Sequence, residues 1–182
     1  EDVVHYQQAG INRMAIWRPK PADFGEERSV ELVRDAGMEV SSLGWAGGFT
    51  GGHGHTFAEA VDDAREAIRL AAALNAESLT IISGPQHIHI RTHARRLLLE
   101  GIAEILDFAA ECGVTLAVQP MHRLYRDEWT FLNSLDETLG ILDRFDHPRL
   151  RMAFGTYHLW QEPQLIDLLA EIVPMIASVQ VS

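Results

Sequence analysis

The sequence has only one cysteine, Cys112, so the chain cannot form an internal disulfide. One thiol in 182 residues is typical of a reducing compartment, and we expect a cytoplasmic protein. No apolar run is long enough to span a membrane. The first residues, Glu1 and Asp2, do not resemble a secretory signal. A membrane partner is therefore not expected.

Positive charge is also scarce. Lys and Arg number 15 against 26 Asp and Glu, which leaves a formal net charge of −11. Binding to a phosphate backbone depends on clustered positive charge, so the composition argues against a nucleic-acid partner. No predicted strand is followed by a Gly-x-Gly-x-x-Gly or P-loop pattern, the usual cradles for nucleotide phosphates. A small-molecule partner is favoured instead.

Short apolar segments alternate with amphipathic helical segments along the whole chain. Capping boxes at Thr56–Glu59 and Ser134–Glu137 mark the starts of two helices. The pattern predicts six strands, at 12–17, 39–43, 78–83, 114–118, 150–154 and 178–181. It predicts six helices, at 1–9, 26–36, 57–74, 92–111, 135–145 and between Pro163 and Pro174.

Strands separated by helices predict an α/β fold with a parallel sheet. Two architectures remain, an open doubly wound sheet and a (β/α)8 TIM barrel. The lack of a nucleotide-binding pattern weakens the first. Because the sequence opens in a helix and closes on a strand, we interpret residues 1–182 as a single, incomplete barrel domain. An open set of six strands is expected to be poorly stable or to associate with copies of itself.

Two of the predicted strands end in closely similar ways. Val114–His122 is an apolar strand followed by Pro120, which has no N–H to give to a sheet, and then by His122. Leu150–His158 repeats the order of strand, turn and histidine. Ligands in α/β folds bind beyond the carboxyl ends of the strands, so we predict the functional site at these two ends.

Histidine and tryptophan gather at the predicted strand ends. Aromatic faces and imidazoles on one rim suit a polar, polyhydroxylated ligand, whereas ordinary packing of the rim is the alternative. The residues concerned are His53, His55, His87, His89, His122, His158, Trp17, Trp45, Trp129 and Trp160.

Three segments carry a resemblance to a known family. Leu116–His122 (LAVQPMH), Trp129–Asn133 (WTFLN) and Met152–His158 (MAFGTYH) resemble the xylose isomerase-like superfamily of sugar and sugar-phosphate isomerases and epimerases. The resemblance implies a TIM barrel, of which this chain holds roughly strands two to seven. It also implies a divalent metal ion, Mn, Mg, Zn or Co, that polarises a sugar carbonyl during proton or hydride transfer.

The sequence departs from the family pattern at the expected metal ligands. Gln119 stands where the pattern has a metal-binding Glu, and Gly155 stands where it has a metal-binding Asp. Gln180 lies on the strand where the pattern has a ligating His. The negative charges that would hold a hard dication are therefore missing. A buried amide and a tight bend are the structural alternatives for Gln119 and Gly155.

The candidate site residues follow from the resemblance and from their places after strands. His122 and His158 match the family pattern and are the candidate catalytic residues. Candidate substrate-binding residues are Trp17, Arg18, Trp45, Asn133 and Trp160, where Arg18 would meet a phosphate or carboxylate. Asp62, Asp63 and Glu66 are predicted to lie on a solvated helix face, outside any site.

A metal ion, if bound, is predicted to be held mainly by histidines. His53-Gly-His55 and His87-Ile-His89 leave strands that are neighbours in a barrel, and Gln119 would add a neutral oxygen. Imidazole ligands favour Zn, Ni or Cu over Mg, Mn or Ca. Solvent-exposed loop histidines are the alternative.

Two functions follow. The first is an isomerase or epimerase that acts on a small sugar or sugar phosphate at the carboxyl face of the barrel. The second is a non-catalytic relative that binds a sugar-like ligand or a partner protein there, having lost the carboxylate metal site. The residues at positions 119, 155 and 180 separate the two hypotheses, because an enzyme needs a replacement for the lost groups.

Overall fold

The computed structural model describes residues 2–52, 54–163 and 165–181. These residues contain six strands, β1 (Arg13–Trp17), β2 (Glu39–Gly47), β3 (Ser78–Ile82), β4 (Thr115–Val118), β5 (Leu150–Gly155) and β6 (Ile176–Gln180). The α-helices are α1 (Asp2–Gln8), α2 (Pro19–Phe24), α3 (Glu26–Asp35), α4 (Phe57–Ala73), α5 (Arg91–Glu111), α6 (Leu135–Phe145), α7 (Thr156–Leu159) and α8 (Leu165–Ile172). None of these helices is long and apolar enough to cross a membrane.

The six strands form one sheet in the order of the chain, from β1 to β6, and every pair of neighbours is parallel. Each crossover therefore moves the chain by one strand in the same direction. A doubly wound sheet would reverse direction at a switch point. The strand order excludes that alternative and confirms the predicted incomplete (β/α)8 barrel.

The helix starts follow from local hydrogen bonds. The Thr56 hydroxyl accepts a bond from the Glu59 N–H, and the Glu59 carboxylate accepts one from the Thr56 N–H, which completes the predicted capping box of α4. At α6 only half of the predicted box forms. Ser134 accepts from the Glu137 N–H, but the Glu137 carboxylate instead binds the Arg91 guanidinium.

The main core lies between the sheet and the helices outside it. Alternate side chains of the central strands point to this side, and the largest of them, Leu43, Leu79, Ile81 and Leu116, are fully buried. The apolar faces of α4 and α5 cover them, with Ile68 and Ile102 among the fully buried contacts. Each such side chain stabilises the fold by roughly 1.5–3 kcal/mol.

The opposite, concave face of the sheet carries small side chains. Ala15 on β1, Ser42 and Gly44 on β2, and Thr80 on β3 all line one cavity. Barrel interiors are normally filled by bulky branched residues. Small residues at these positions leave room for a ligand at the carboxyl ends of the strands.

Three parts of the fold differ from the prediction. Helix α2 follows β1 directly, where the sequence predicts no helix, and its two prolines are accommodated because proline is well tolerated in the first turn of a helix. β2 continues to Gly47 instead of ending at Leu43. The loop predicted after β5 contains the short helix α7, which carries His158.

The exposed edge of the sheet generates the first testable expectation. Val179 on the edge strand β6 is 60% exposed, and apolar edge strands promote association. We expect the chain to self-associate and Val179→Lys to reduce the association, measured by light scattering. Val173→Lys is the matched control, since Val173 is also 60% exposed but lies in the turn before β6. A monomeric parent, or an equal effect of both substitutions, would contradict this expectation.

Candidate binding cavity at the carboxyl ends of the strands

A cavity of about 500 Å³ opens at the carboxyl ends of the strands, where the sequence predicts the site. Its lining contains three of the four tryptophans, Trp17, Trp45 and Trp129, together with Tyr125. The polar lining residues are Ser42, Thr80, Gln119, His158 and Gln180. Among the residues that the structure describes, no Asp, Glu, Lys or Arg contributes to this lining.

The aromatic wall is organised around Trp129. Its ring lies 5.3 Å from the ring of Trp45 and 6.2 Å from that of Trp17, both in edge-to-face arrangements. Such contacts add about 0.5–1.5 kcal/mol each beyond area burial. The rings therefore support one another at the mouth of the cavity, where Trp17 remains 48% exposed.

The loop that carries Trp129 is fastened to the end of β3. The Ser83 hydroxyl lies 2.7 Å from that of Thr130 and accepts a bond from the Phe131 N–H, and all of these groups are buried. The Asn133 side chain then donates to the carbonyls of Met121 and Thr130. These bonds set the position of Trp129. Sequence reasoning missed Ser83, because a serine before glycine carries no recognisable signal.

The floor of the cavity contains a pair of amides. Gln119 follows β4 and is 5% exposed, and its side-chain N–H donates to the carbonyl oxygen of the Gln180 side chain on β6, at 2.8 Å. The resemblance places metal ligands at both positions. They form a neutral hydrogen-bonded pair here, so the buried amide predicted as the alternative for Gln119 is the arrangement found.

Thr80 adds a polar atom with no partner. The residue is 3% exposed, and its hydroxyl makes no hydrogen bond to any other part of the chain that the structure describes. A buried hydroxyl in this state loses hydration without compensation. Thr80 lines the cavity, so a ligand hydroxyl there would satisfy it.

His158 occupies the space that a side chain at position 155 would need. A Cβ built on Gly155 would lie 2.7 Å from Cδ2 of His158. The Nδ1 atom of His158 accepts a hydrogen bond from the His122 backbone N–H, at 3.3 Å. Because a backbone N–H only donates, the neutral ring carries its proton on Nε2.

The environment of His158 keeps the ring neutral. Burial lowers its pKa, and the nearby His122 lowers it further. The Tyr125 ring packs edge-to-face on the imidazole, with centroids 5.4 Å apart. His158 is therefore suited to donate a hydrogen bond from Nε2 to an oxygen in the cavity.

The His122 side chain is not part of the cavity lining, although the sequence predicts the functional site at the strand ends that carry both His122 and His158, and the His122 backbone N–H bonds to the His158 ring. Trp17, Trp45 and His158 line the cavity, but His122 does not. The His122 ring accepts a bond from the Leu124 N–H and contacts the Gln161 side chain at 3.2 Å. This corrects the prediction, because the ring caps the turn at Arg123–Tyr125.

The other predicted substrate-binding residues lie outside the lining. Arg18 forms a bidentate ion pair with Asp63, at 2.6 and 2.7 Å, which also corrects the prediction that Asp63 is merely solvated. The side chains are only 18% and 35% exposed. Asn133 is engaged by the loop bonds, and Trp160 after α7 is 63% exposed. None of these three predicted residues contacts the cavity described here.

The predicted histidine metal site does not assemble from the described residues. The His89 ring is bonded to the Thr50 carbonyl at 3.0 Å, and its centroid lies 4.8 Å from that of the tilted His93 ring. Between residues 2 and 181, leaving out 53 and 164, no three His, Cys, Asp or Glu side chains are arranged to hold a metal ion. His55, His87 and His89 alone therefore form no such group, whereas His53, the fourth histidine of the predicted set, lies outside the described residues, so the complete set stays a prediction.

The residues at the family's metal position do not fit a divalent cation. Hard dications prefer carboxylates, and the described lining offers only the amides of Gln119 and Gln180 and the ring of His158. The two amides already bond to each other. We therefore assign no metal ion to this cavity.

Comparisons with known proteins agree with the fold. Residues 5–182 match the family model described as xylose isomerase-like TIM barrel. A solved protein from Sinorhizobium meliloti 1021 is 30% identical, with a TM-score of 0.84, over 97% of this chain and 65% of that protein. The chain thus spans about two thirds of that relative. A search of curated proteins gives no significant match.

Two further solved structures share the fold at low identity. An AP endonuclease, family 2, from Brucella melitensis is 19% identical, with a TM-score of 0.82, over 100% of this chain and 72% of that protein. A 3-keto-D-glucoside 4-epimerase from E. coli is 12% identical, with a TM-score of 0.81, over 99% of this chain and 72% of that protein. At these identities the likeness shows the fold alone.

The unpartnered Thr80 hydroxyl makes a stability measurement informative. Thr80→Val keeps the shape and removes the hydroxyl, so we expect the free energy of unfolding to rise by about 1 kcal/mol. Ser83→Ala is the opposite case, because it removes a hydroxyl with buried partners, and it should lower the free energy by about 1–3 kcal/mol. Urea unfolding measures both values, and a destabilised Thr80→Val protein would contradict the assignment.

The lowered pKa of His158 predicts a pH dependence of stability. Its folded-state pKa lies below the unfolded value, so the unfolded chain binds the proton more readily and stability falls as pH drops through the unfolded pKa. Above the unfolded-state pKa, His158 is neutral in both states and causes no loss of stability. We expect His158→Gln to lose less stability than the parent between about pH 8 and about pH 5 in thermal unfolding. Equal losses in the two proteins would show that His158 does not titrate in this way.

Proposed function

Because the chain belongs to the xylose isomerase-like TIM barrel family, we propose that its cavity binds a small carbohydrate-like ligand. The observation that carries this proposal is the combination of an aromatic wall with a polar floor. Sugar rings present apolar C–H faces and polar edges. Trp129 and its neighbouring rings offer an apolar surface for the C–H faces of a sugar ring. The Gln119–Gln180 pair offers hydrogen-bond donors and acceptors for the hydroxyl groups of the sugar.

The geometry favours binding over isomerisation. Isomerases and epimerases of sugars move a proton or hydride at carbon, which requires a base or an electrophile. The carboxylates that the family pattern supplies are replaced, and no Asp or Glu lines the cavity among the described residues. His158 has its basic Nδ1 bonded to the His122 N–H, so it faces a ligand as a donor instead of a base.

An isomerase or epimerase remains the second candidate function. The neutral His158 favours it, because an Nε2–H next to a sugar carbonyl would polarise that group without a metal ion. In that case His158 is the catalytic residue, and His122 is a positioning residue that holds the His158 ring through its backbone N–H.

A nuclease function, as in the name of the Brucella protein, is not supported by charge. The net charge of −11 opposes contact with a phosphate backbone. Arg18, the cation nearest in sequence to the cavity residue Trp17, is already paired with Asp63.

Tryptophan fluorescence provides a direct test, because three of the four tryptophans line the cavity. We expect titration with neutral monosaccharides such as D-fructose and D-glucose to change the emission in a saturable way. Trp129→Phe should weaken binding by up to about tenfold, since part of a stacking surface is lost. Trp160→Phe is the matched control and should leave the affinity unchanged, since Trp160 is outside the lining.

Two results would count against the proposal. A panel of neutral aldoses and ketoses that leaves the emission unchanged would contradict sugar binding. Conversion of one of these sugars into its isomer or epimer, measured by NMR, would favour the isomerase over the binding protein.

A further inference from the structure

We propose that Gln119, Gln180 and Thr80 form a metal-independent site for neighbouring hydroxyl groups of an uncharged sugar or polyol. This inference rests on the proposed function and deepens it, because it names the ligand class and the groups that select it. The three residues are called the polar floor below. It occupies the place where the family pattern has charged metal ligands.

The amide pair leaves hydrogen-bonding groups for a ligand. The bond between Gln119 and Gln180 uses one N–H of the first side chain and the carbonyl oxygen of the second. The carbonyl oxygen of Gln119 and the NH2 group of Gln180 remain, one an acceptor and the other a donor. If both amides were turned over, the roles would exchange but one acceptor and one NH2 group would still remain. Neighbouring hydroxyls, each of which donates and accepts, match such a pair.

Thr80 is an independent indication of a ligand. Thr80 lies on β3 and is paired in register with Ala117 on the neighbouring strand β4. Gln119 follows Ala117 by two residues, so its side chain lies on the same face of the sheet as that of Thr80. Its hydroxyl is buried and has no hydrogen-bond partner within the described residues, although the side chain lines the cavity. Folding leaves this group unsatisfied, and a ligand hydroxyl supplies the missing bond.

The surroundings of the polar floor select against charged ligands. The described lining has no Lys or Arg to neutralise a phosphate or carboxylate. The guanidinium of Arg18 is taken up by the carboxylate of Asp63. Transfer of an unpaired anion into such a site is costly, so a phosphate ester should bind more weakly than the free sugar.

The residues around the polar floor also disfavour sugar binding through a bound metal ion. The two amides bond to each other instead of converging on a cation. The ring of His158 covers Gly155, where the family pattern has a carboxylate. Sugar binding should therefore be independent of divalent ions.

The experiment compares two Thr→Val variants of the 182-residue chain. Thr80 and Thr50 are both 3% exposed, and each has a hydroxyl without a partner in the described structure, but only Thr80 lines the cavity. The probe is the neutral monosaccharide that gives the strongest change in tryptophan emission. We expect Thr80→Val to weaken its binding roughly three- to tenfold and Thr50→Val to leave it unchanged.

The amide pair is tested by Gln119→Leu and, separately, Gln180→Leu, each with a circular dichroism spectrum to establish folding. Each folded variant should weaken binding at least about tenfold, because two ligand bonds and the partner amide's orientation are lost. Neither EDTA nor added Mn²⁺ should change the affinity of the parent. The phosphate ester of the probe should bind at least about tenfold more weakly than the probe.

The outcomes separate the two proposals. If the parent binds no neutral monosaccharide, the proposed function fails. If the parent binds one, but Thr80→Val behaves like Thr50→Val and the folded amide variants bind normally, sugar binding stands and the polar floor is overturned. Loss of binding in EDTA, or tighter binding of the phosphate ester, overturns it as well.

Discussion

Parallel pairing of consecutive strands is the constraint on which the rest of this structure depends. It sends the carboxyl ends of β1 to β6 to the same side, so that residues far apart in sequence, such as Trp17, Gln119 and Gln180, line one cavity. Strand alternation then divides the side chains between two faces. Large aliphatic residues pack under the helices, and small ones face the concave side. Stability and ligand space are therefore supplied by opposite faces of the same strands.

The absence of charged side chains from the described lining is the basis for the proposed ligand class. The chain is acidic overall, yet the described lining carries no charged side chain. The nearby guanidinium of Arg18 is neutralised by Asp63, and the pKa of His158 is lowered by burial. Polar groups without net charge bind hydroxyls at little desolvation cost, whereas they give no compensation to a phosphate or a dication. The same neutrality is the reason why we assign no metal ion to the cavity and why we propose an uncharged ligand.

The sequence was sufficient to predict the parallel βα architecture and the face on which the cavity lies, because apolar periodicity and capping residues act locally. It also placed Trp17, Trp45, Gln119 and His158 at strand ends. The roles of Arg18 and Asn133 were not predictable, since they depend on partners elsewhere in the sequence, Asp63 and Met121. The His122 ring instead caps the local turn at Arg123–Tyr125 and also contacts Gln161. The bond between Gln119 and Gln180 spans 61 residues. Periodicity does not report such contacts, and only the folded chain brings the two amides together.

The replacements at positions 119, 155 and 180 make physical sense only as a set. A single carboxylate left at this depth without a cation would be an uncompensated buried charge, which destabilises a fold by several kcal/mol. A glutamine at 119 removes that charge but leaves an amide that needs a partner, and Gln180 provides it. A side chain at 155 would collide with the His158 ring, which glycine admits. In this chain the positions that the resemblance assigns to metal ligands therefore hold a hydrogen-bonded amide pair and a glycine, and the remaining donors and acceptors of the pair are the groups that we propose to meet a ligand.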